Sequence, residues 1–551
     1  MKKILSYFII ALCVLPLHSK ERNLEQKIHI AAQFLTNTSY GKLHKVGSAH
    51  EMTELKNMEE LSVIGYTGGS FAIVTNDDSH QPIIGYSNNS YDLNSPEFAW
   101  YLSAANDALK NSLSPVDEQT EPKAKIEPLL ETTWGQDTPY NNLCPTERDN
   151  ENIKYPTGCV ATAMAQVMYY HQYPEKGFGS ITYSFQDRIL SADFNNTTYQ
   201  WNLMQPTYTK GNYSDESAEA IATLMFQCGA SIKMKYNVGG SGAYVYDAAT
   251  ALRKNFGYHE NLQVKYRESY TNSEWLSLIY SELQANRPVI YAGSDKNSGG
   301  HCFVVDGYDE NNFVHVNWGW NGSNDGFYDI ALLDPKGYSF SLGQCMLTGV
   351  GKPSDDIVYH SEIMSQDNFK VTKLGSTKIL ITDGTYYNMS DRDFTGELAY
   401  VLEGNGETYV LGAQANTQIP NQYSLTKPSS KTYTLPADLK DGDYRLYAAS
   451  KDDKDKTWSP VHYQEGNNTC YVLTIKANAV SLSAVVESDW HLTSKINYAS
   501  EILVPSEYTI VYNLQGQELY KTRLSDFNMD NIPGKGIFII KQGSKTTKVS
   551  K

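Results

Sequence analysis

Thr157-Gly158-Cys159-Val160-Ala161-Thr162-Ala163-Met164-Ala165-Gln166-Val167-Met168-Tyr169-Tyr170-His171 is an unbroken run of helix-compatible residues that stops at Tyr173-Pro174, because proline cannot continue a helix. Cys159 therefore falls in the first turn. Unpaired N–H groups and the positive end of the helix dipole lie there, and both favour a thiolate over a thiol. Gly158 leaves space for another backbone beside the sulfur, and Ala161, Ala163 and Ala165 let neighbouring elements approach. The segment carries little charge, which suits burial in the middle of a domain. Taken alone, the cysteine could equally be an inert buried one.

A second segment changes that balance. Gly299-Gly300-His301-Cys302-Phe303-Val304-Val305-Asp306-Gly307-Tyr308 reads as a strand. Asp309-Glu310-Asn311-Asn312 is turn chemistry, and Phe313 to Trp318 reads as the returning strand. A cysteine opening a helix and a histidine opening a strand, joined only by the fold, are the parts of a thiol nucleophile and its base. Asn317 and Trp318 supply a side-chain amide to orient an imidazole and an indole to shield the contact. His171 lies twelve residues along the helix from Cys159, roughly 18 Å at about 1.5 Å per residue, which excludes it. His315 ranks behind His301, since a histidine in a half-buried strand is more often structural.

These two segments resemble the streptopain family of bacterial cysteine proteases, which are papain-like in fold and made as zymogens. Trp134-Gly135-Gln136-Asp137-Thr138-Pro139-Tyr140-Asn141 is similar to the start of that family's mature enzyme. The resemblance, over about residues 60 to 350, implies Cys159 as nucleophile and His301 as base. It implies Gln136, with the backbone N–H of Cys159, as the oxyanion donors, and Asn317 and Trp318 as the pair orienting the histidine. Cys302 departs from the family pattern, which expects a small apolar residue there. It is expected to face away from His301 and to pack.

Length and charge bound the rest. At 551 residues the chain suggests several domains. The net charge of −16 argues against nucleic acid and against an anionic membrane surface. Lys2 and Lys3, the apolar run from Ile4 to Leu17 and Ser19-Lys20-Glu21 form a secretory signal, cut after Ser19. No other segment is long and apolar enough to span a membrane. The cysteines are scattered, with neither a dense disulfide pattern nor zinc-ligand spacing. Val238-Gly239-Gly240-Ser241-Gly242-Ala243 follows no clear strand and lacks a lysine, so it is not a phosphate loop. No cofactor or metal is expected.

The expected order is a signal peptide over 1–19, an inhibitory α+β prodomain over 20–125, a papain-like α+β catalytic domain over 126–352, an immunoglobulin-like β-sandwich over 353–475 and a small β-unit over 476–551. In the prodomain, short apolar runs alternate with Gly, Asp and Asn turns. Phe98, Tyr101, Leu102, Ala105 and Leu109 then recur at helical spacing. The polar stretch Ser114 to Lys125 reads as solvated and cleavable. Tyr508 to Tyr520 and Gly534 to Lys541 resemble the C-terminal sorting domain of Bacteroidetes secreted proteins. The whole reads as an extracellular bacterial cysteine endopeptidase acting on protein or peptide substrates through a thioester, with its own prodomain as intramolecular inhibitor. Two other readings use the same residues: an acyl transferase or amidase acting on side-chain amides, and a catalytically dead adhesin whose β-domains do the binding. A binding protein has no physical need for Gln136, Cys159 and His301 together.

Overall fold

The short apolar runs near the N-terminus form an antiparallel meander: β1 (Thr53–Asn57), β2 (Leu61–Gly65), β3 (Phe71–Thr75) and β4 (Ile83–Ser87). Strands β2 to β4 are buried at every position because both faces of the sheet are covered. Helix α1 (Leu24–Asn37) packs Ala31 and Leu35 against Ile64, Ala72 and Val74. Helix α2 (Pro96–Asn111) packs Phe98, Tyr101, Leu102, Ala105 and Leu109 against Leu61, Val63, Phe71 and Ile73. In this computed structural model the residues described are 21–37, 51–92, 94–111, 123–267, 270, 272–295, 299–333, 344–359, 361–365, 367–390, 392–421, 423–455, 457–463, 467–477, 479–486, 508–512, 518–523, 537–542 and 545–550. The expected signal segment and most of the polar stretch after Ser114 lie outside them.

The meander is not a separate sheet. It continues into the part of the chain that carries the cysteine and histidine segments, in one ten-stranded sheet of order β1-β2-β3-β4-β11-β10-β9-β8-β12-β7. The later strands are β7 (Gln263–Tyr266), β8 (Val289–Asp295), β9 (Gly299–Tyr308), β10 (Val314–Asn317), β11 (Gly326–Tyr328) and β12 (Cys345–Thr348). The seam is β4 against β11, with Gly326 opposite Ser87, Phe327 opposite Tyr86 and Tyr328 opposite Gly85. Glycine is required on both sides. A Cβ on Gly326 would lie 2.4 Å from the Tyr86 carbonyl oxygen, and one on Gly85 would lie 2.5 Å from the Tyr328 ring. Side chains add to the seam: the Tyr86 hydroxyl donates to Asp309 Oδ2 at 3.0 Å and the Ser87 hydroxyl to the Asp325 carbonyl at 2.5 Å.

The catalytic half of the sheet divides two cores by strict alternation. Cys302 and Val304 of β9 face a core built with α3 (Cys159–His171), α4 (Asp215–Ser231) and α5 (Val245–Lys254). Phe303 and Val305 face the core shared by α2 and α6 (Asn272–Gln284). A small hairpin of β5 (Ser180–Phe185) and β6 (Arg188–Asp193) lies beside α4. The arrangement is papain-like α+β with strand-rich C-terminal regions. Among the described residues, no helix is long and apolar enough to cross a membrane.

Downstream, two mostly antiparallel sheets share one core to which Ile379 and Ile381 contribute from one sheet and Leu402, Leu446 and Leu473 from the other. The second sheet runs on through Ala479–Val486, paired along Asn468–Lys476 with Val480 opposite Ile475. A boundary at 475 would cut this hairpin, because Val480 and Leu482 belong to the sandwich core. Four further strands, from Tyr508–Tyr512 to Lys545–Ser550, form a small sheet.

The sandwich is fastened to the catalytic half by a buried ion pair between Lys265 of β7 and Glu362, whose side chains are 6% and 3% exposed. The Tyr270 hydroxyl donates to the other oxygen of Glu362 at 2.6 Å. Removing one partner of such a pair leaves an uncompensated buried charge. Glu362→Ala is therefore expected to cost about 3 kcal/mol or more in urea unfolding, with the catalytic half and the sandwich no longer melting together. An unchanged unfolding curve would refute this account of the junction.

Candidate active site

Helix α3 begins at Cys159, and Gly158 before it has φ +91°. Only glycine fits there: a Cβ would meet the Met234 methyl at 2.6 Å and the Ser241 carbonyl oxygen at 2.9 Å. Residues Val160 to Met168 are all buried, so the small side chains read in the sequence do serve close packing. The glycine-rich loop around Ser241 lies against the residues preceding the cysteine, with the Ser241 hydroxyl on the Pro156 carbonyl at 2.7 Å.

The backbone N–H dipoles of Cys302, Val160 and Cys159 itself lie near the Cys159 thiol. These favour the thiolate, as the helix N-terminus was expected to do. They do not win. Burial, followed by the nearby Glu97 carboxylate, pushes the thiol up to about 12. In this state Cys159 is a protonated thiol.

His301 opens β9 opposite Gly293, on the sheet face away from Cys302. Its Nδ1 lies 3.9 Å from Glu97 Oε1, with both side chains nearly buried at 10% and 4% exposure. The ring of Trp100 tilts over the imidazole at 5.8 Å between centroids. Gln136, 6% exposed, donates from Nε2 to the same Glu97 Oε1 at a long 3.5 Å. Glu97, in the first turn of α2, is thus wedged between the expected oxyanion donor and the expected base. Its second carboxyl oxygen and His301 Nε2 are both buried without a hydrogen-bond partner. Among the described residues, no hydrogen bond or ion pair joins Cys159 to His301.

The expected orienting pair behaves differently. Asn317 gives its Nδ2 hydrogen to the Thr132 carbonyl at 2.7 Å, while its Oδ1 accepts from Gln166 Nε2 at 3.0 Å and from the Gly319 N–H at 3.1 Å. It ties α3 to β10 and makes no bond to the imidazole. Trp318 is fully buried against Phe303 at 4.8 Å and donates Nε1–H to the Asn324 carbonyl. The indole beside His301 is that of Trp100. His315 is held by Asp306, Nδ1 to Oδ1 at 2.6 Å, which raises its affinity for a proton even though burial opposes it. It braces β9 and β10. His171 is half-buried at the far end of α3, and desolvation lowers its pKa to about 4. Among the described residues, no cluster of His, Cys, Asp and Glu is arranged to hold a metal ion.

The Peptidase C10 family model matches residues 134–328, the stretch that holds Gln136, Cys159 and His301. Streptopain of Streptococcus pyogenes serotype M28 (strain MGAS6180) is 35% identical over 320 residues, which is 53% of this chain and 78% of streptopain. The chain belongs to the Peptidase C10 family. It is a cysteine protease. The thiol protease/hemagglutinin PrtT of Porphyromonas gingivalis is 32% identical over 332 residues, 60% of this chain and 35% of that one. A solved fragment of Prevotella intermedia prointerpain A matches with a TM-score of 0.50 at 40% identity, covering 54% of this chain and 98% of the fragment. That fragment is one of a proenzyme.

Sequence reading missed Glu97 and Trp100. The usable signal was weak: an acidic residue in a first turn reads as a helix-dipole partner, and Trp100 sits among core positions of an apolar helix. The electrostatics give a test. Alkylation follows the thiolate fraction, so the rate at Cys159 in the intact chain is expected to climb from pH 7 to pH 10 without a plateau. Glu97→Gln removes the second cause of the raised thiol pKa and should speed labelling at pH 8 by severalfold. A plateau below pH 9 in the intact chain would contradict the buried-thiol state.

Proposed function

We propose that this chain is a secreted cysteine endopeptidase made as a zymogen, with Cys159 as nucleophile and His301 as base. The observation that carries the proposal is the Glu97 bridge: one carboxylate from the N-terminal module reaches both Gln136 and His301. In the mature enzyme that module leaves, and the two causes that keep Cys159 protonated are relieved together. The imidazole then pairs with the thiol, and the thiolate attacks the peptide carbonyl. Gln136 Nε2 and the Cys159 N–H hold the oxyanion, a contribution of a few kcal/mol per donor. His301 protonates the leaving amine and then activates the water that cleaves the thioester. Asn317 acts at one remove, by fastening β10 to α3. Resemblance to streptopains suggests an apolar preference at the side chain preceding the scissile residue.

The order of parts supports maturation by a cut between about 115 and 135, preferably after Lys125. From Ile126 the chain is already docked on β9: Ile126 pairs with Tyr308, and the N–H groups of Leu129 and Leu130 reach the Asp306 carbonyl and carboxylate at 2.9 Å. A cut just before this segment leaves it docked on β9, and release of the module then requires β4 to part from β11. The small β-unit that follows the sandwich, from Tyr508 onward, is proposed as a sorting element for export.

Three substitutions test the chemistry. Cys159→Ala should abolish hydrolysis of unfolded protein and leave the precursor uncut if maturation is autocatalytic. His301→Ala should remove nearly all activity, whereas Gln136→Ala should lower turnover on the order of 10²-fold, as for one oxyanion donor. N-terminal sequencing of the active form locates the cut. An active enzyme that still carries residues 22 to 110 would overturn the inhibitory role of the module, and an active Cys159→Ala would overturn the nucleophile.

A further inference from the structure

All six cysteines among the described residues are free thiols, yet they are not equivalent. Cys302 stands one residue after His301, where the family pattern expects a small apolar side chain. We propose that Cys302 is a resolving thiol for the active site: when a peroxide oxidises Cys159, Cys302 closes a disulfide with it and keeps the sulfur recoverable. This inference rests on Cys159 being the nucleophile.

The geometry singles out this pair. The backbone N–H of Cys302 lies beside Cys159 Sγ, and, after burial, the Cys159 sulfur is the largest influence on the Cys302 thiol. A backbone nitrogen is about 1.5 Å from its own α-carbon, so the Cys159 sulfur sits against the Cys302 backbone, as a disulfide between close α-carbons requires. Their side chains also share a core: Cys302 is buried in it and Cys159 packs against it. The other thiols fail. Cys345 faces the same side, but Ala292 of β8 stands between it and Cys302 in the ladder. Two strand spacings are about 9–10 Å, beyond the roughly 7 Å limit for bridging. Cys228 is directed at Met168 Sδ at 3.6 Å, nine residues along α3 from Cys159, or about 13 Å. Cys144 lies beside Tyr236, and Cys470 is buried in the sandwich.

The chemistry balances with a peroxide as oxidant. The Cys159 thiolate attacks one peroxide oxygen. An S–O bond forms, the O–O bond breaks, and hydroxide leaves, giving a sulfenic acid. The Cys302 sulfur then attacks the sulfenic sulfur. The S–S bond forms, the S–O bond breaks, and the oxygen departs as water with the Cys302 thiol proton. Without a resolving thiol, a second peroxide carries Cys159 to the sulfinic acid, which ordinary thiols do not reverse. Cys302 is 2% exposed, so peroxide meets Cys159 first.

The test uses the activated enzyme and its Cys302→Ala variant, which retains the backbone N–H toward Cys159. Each is treated with excess hydrogen peroxide, cleared with catalase, reduced with dithiothreitol and assayed for peptide hydrolysis. The wild type should regain most of its activity, and Cys302→Ala at least about fivefold less, as expected for irreversible oxidation. Non-reducing peptide mapping should show a Cys159–Cys302 cross-link in the treated wild type and in Cys345→Ala. Equal recovery by Cys302→Ala, or no such cross-link in the wild type, overturns the inference. Should Cys302→Ala fail to fold, the wild-type map decides alone. A missing cross-link with Cys159→Ala inactive defeats this inference only, whereas an active Cys159→Ala defeats the nucleophile assignment beneath it.

Discussion

The main-chain ladder between β4 and β11 is the constraint on which the rest of the structure depends. Three residue pairs join the N-terminal meander to the catalytic sheet, and two glycines permit the approach. That ladder fixes the meander, the meander fixes α2, and α2 delivers Glu97 and Trp100 to His301. A loosely tethered inhibitory segment would lose ordering entropy each time it docked. A segment that is part of the sheet has already lost it, so a single carboxylate can hold its position at the site.

What that carboxylate does follows from competition among small effects. Backbone N–H groups at the start of α3 favour a Cys159 thiolate, and burial plus the Glu97 charge favour the thiol. Desolvation of a buried ionisable group can shift a pKa by several units, more than one helix terminus supplies on its own. In this state the sulfur is therefore held as a thiol beside the groups proposed as its catalytic partners. The cost is visible as polar atoms left buried without partners, Glu97 Oε2 and His301 Nε2, each of which adds free energy to the closed state. Opening relieves it, so the same contacts that silence the site make the docked state easier to leave once the chain is cut.

The cysteine helix, the histidine strand and the Gln136 segment were legible in the sequence because each is a local pattern whose chemistry depends on its own few residues. The alternation along β9 was equally legible, and it sends Cys302 away from His301 as expected. The ten-stranded sheet was not. Nothing in the sequence marks Gly85 and Gly326 as partners, whereas in the fold they are where two backbones from distant parts of the chain meet. Glu97 was hidden because a helix-capping acid and one that reaches across to Gln136 and His301 have the same sequence appearance. Asn317 was read for its amide. That amide is consumed by Thr132, Gln166 and Gly319, and only a three-dimensional inventory of donors and acceptors shows it.

The same inventory explains why the β9 N-terminus carries so much of the chemistry. β10 pairs with β9 only from Val304 onward, which leaves the first residues of β9 free of that neighbour. The Cys302 N–H can then turn to Cys159, and the His301 ring faces Glu97; the proposed mature enzyme would turn that ring to the thiol. A strand that outruns its partner thus provides a backbone donor, an imidazole and a second sulfur beside one helix terminus. Extending β10 by two residues would pair off that edge. The inhibited and the active arrangements would both lose the freedom on which they depend.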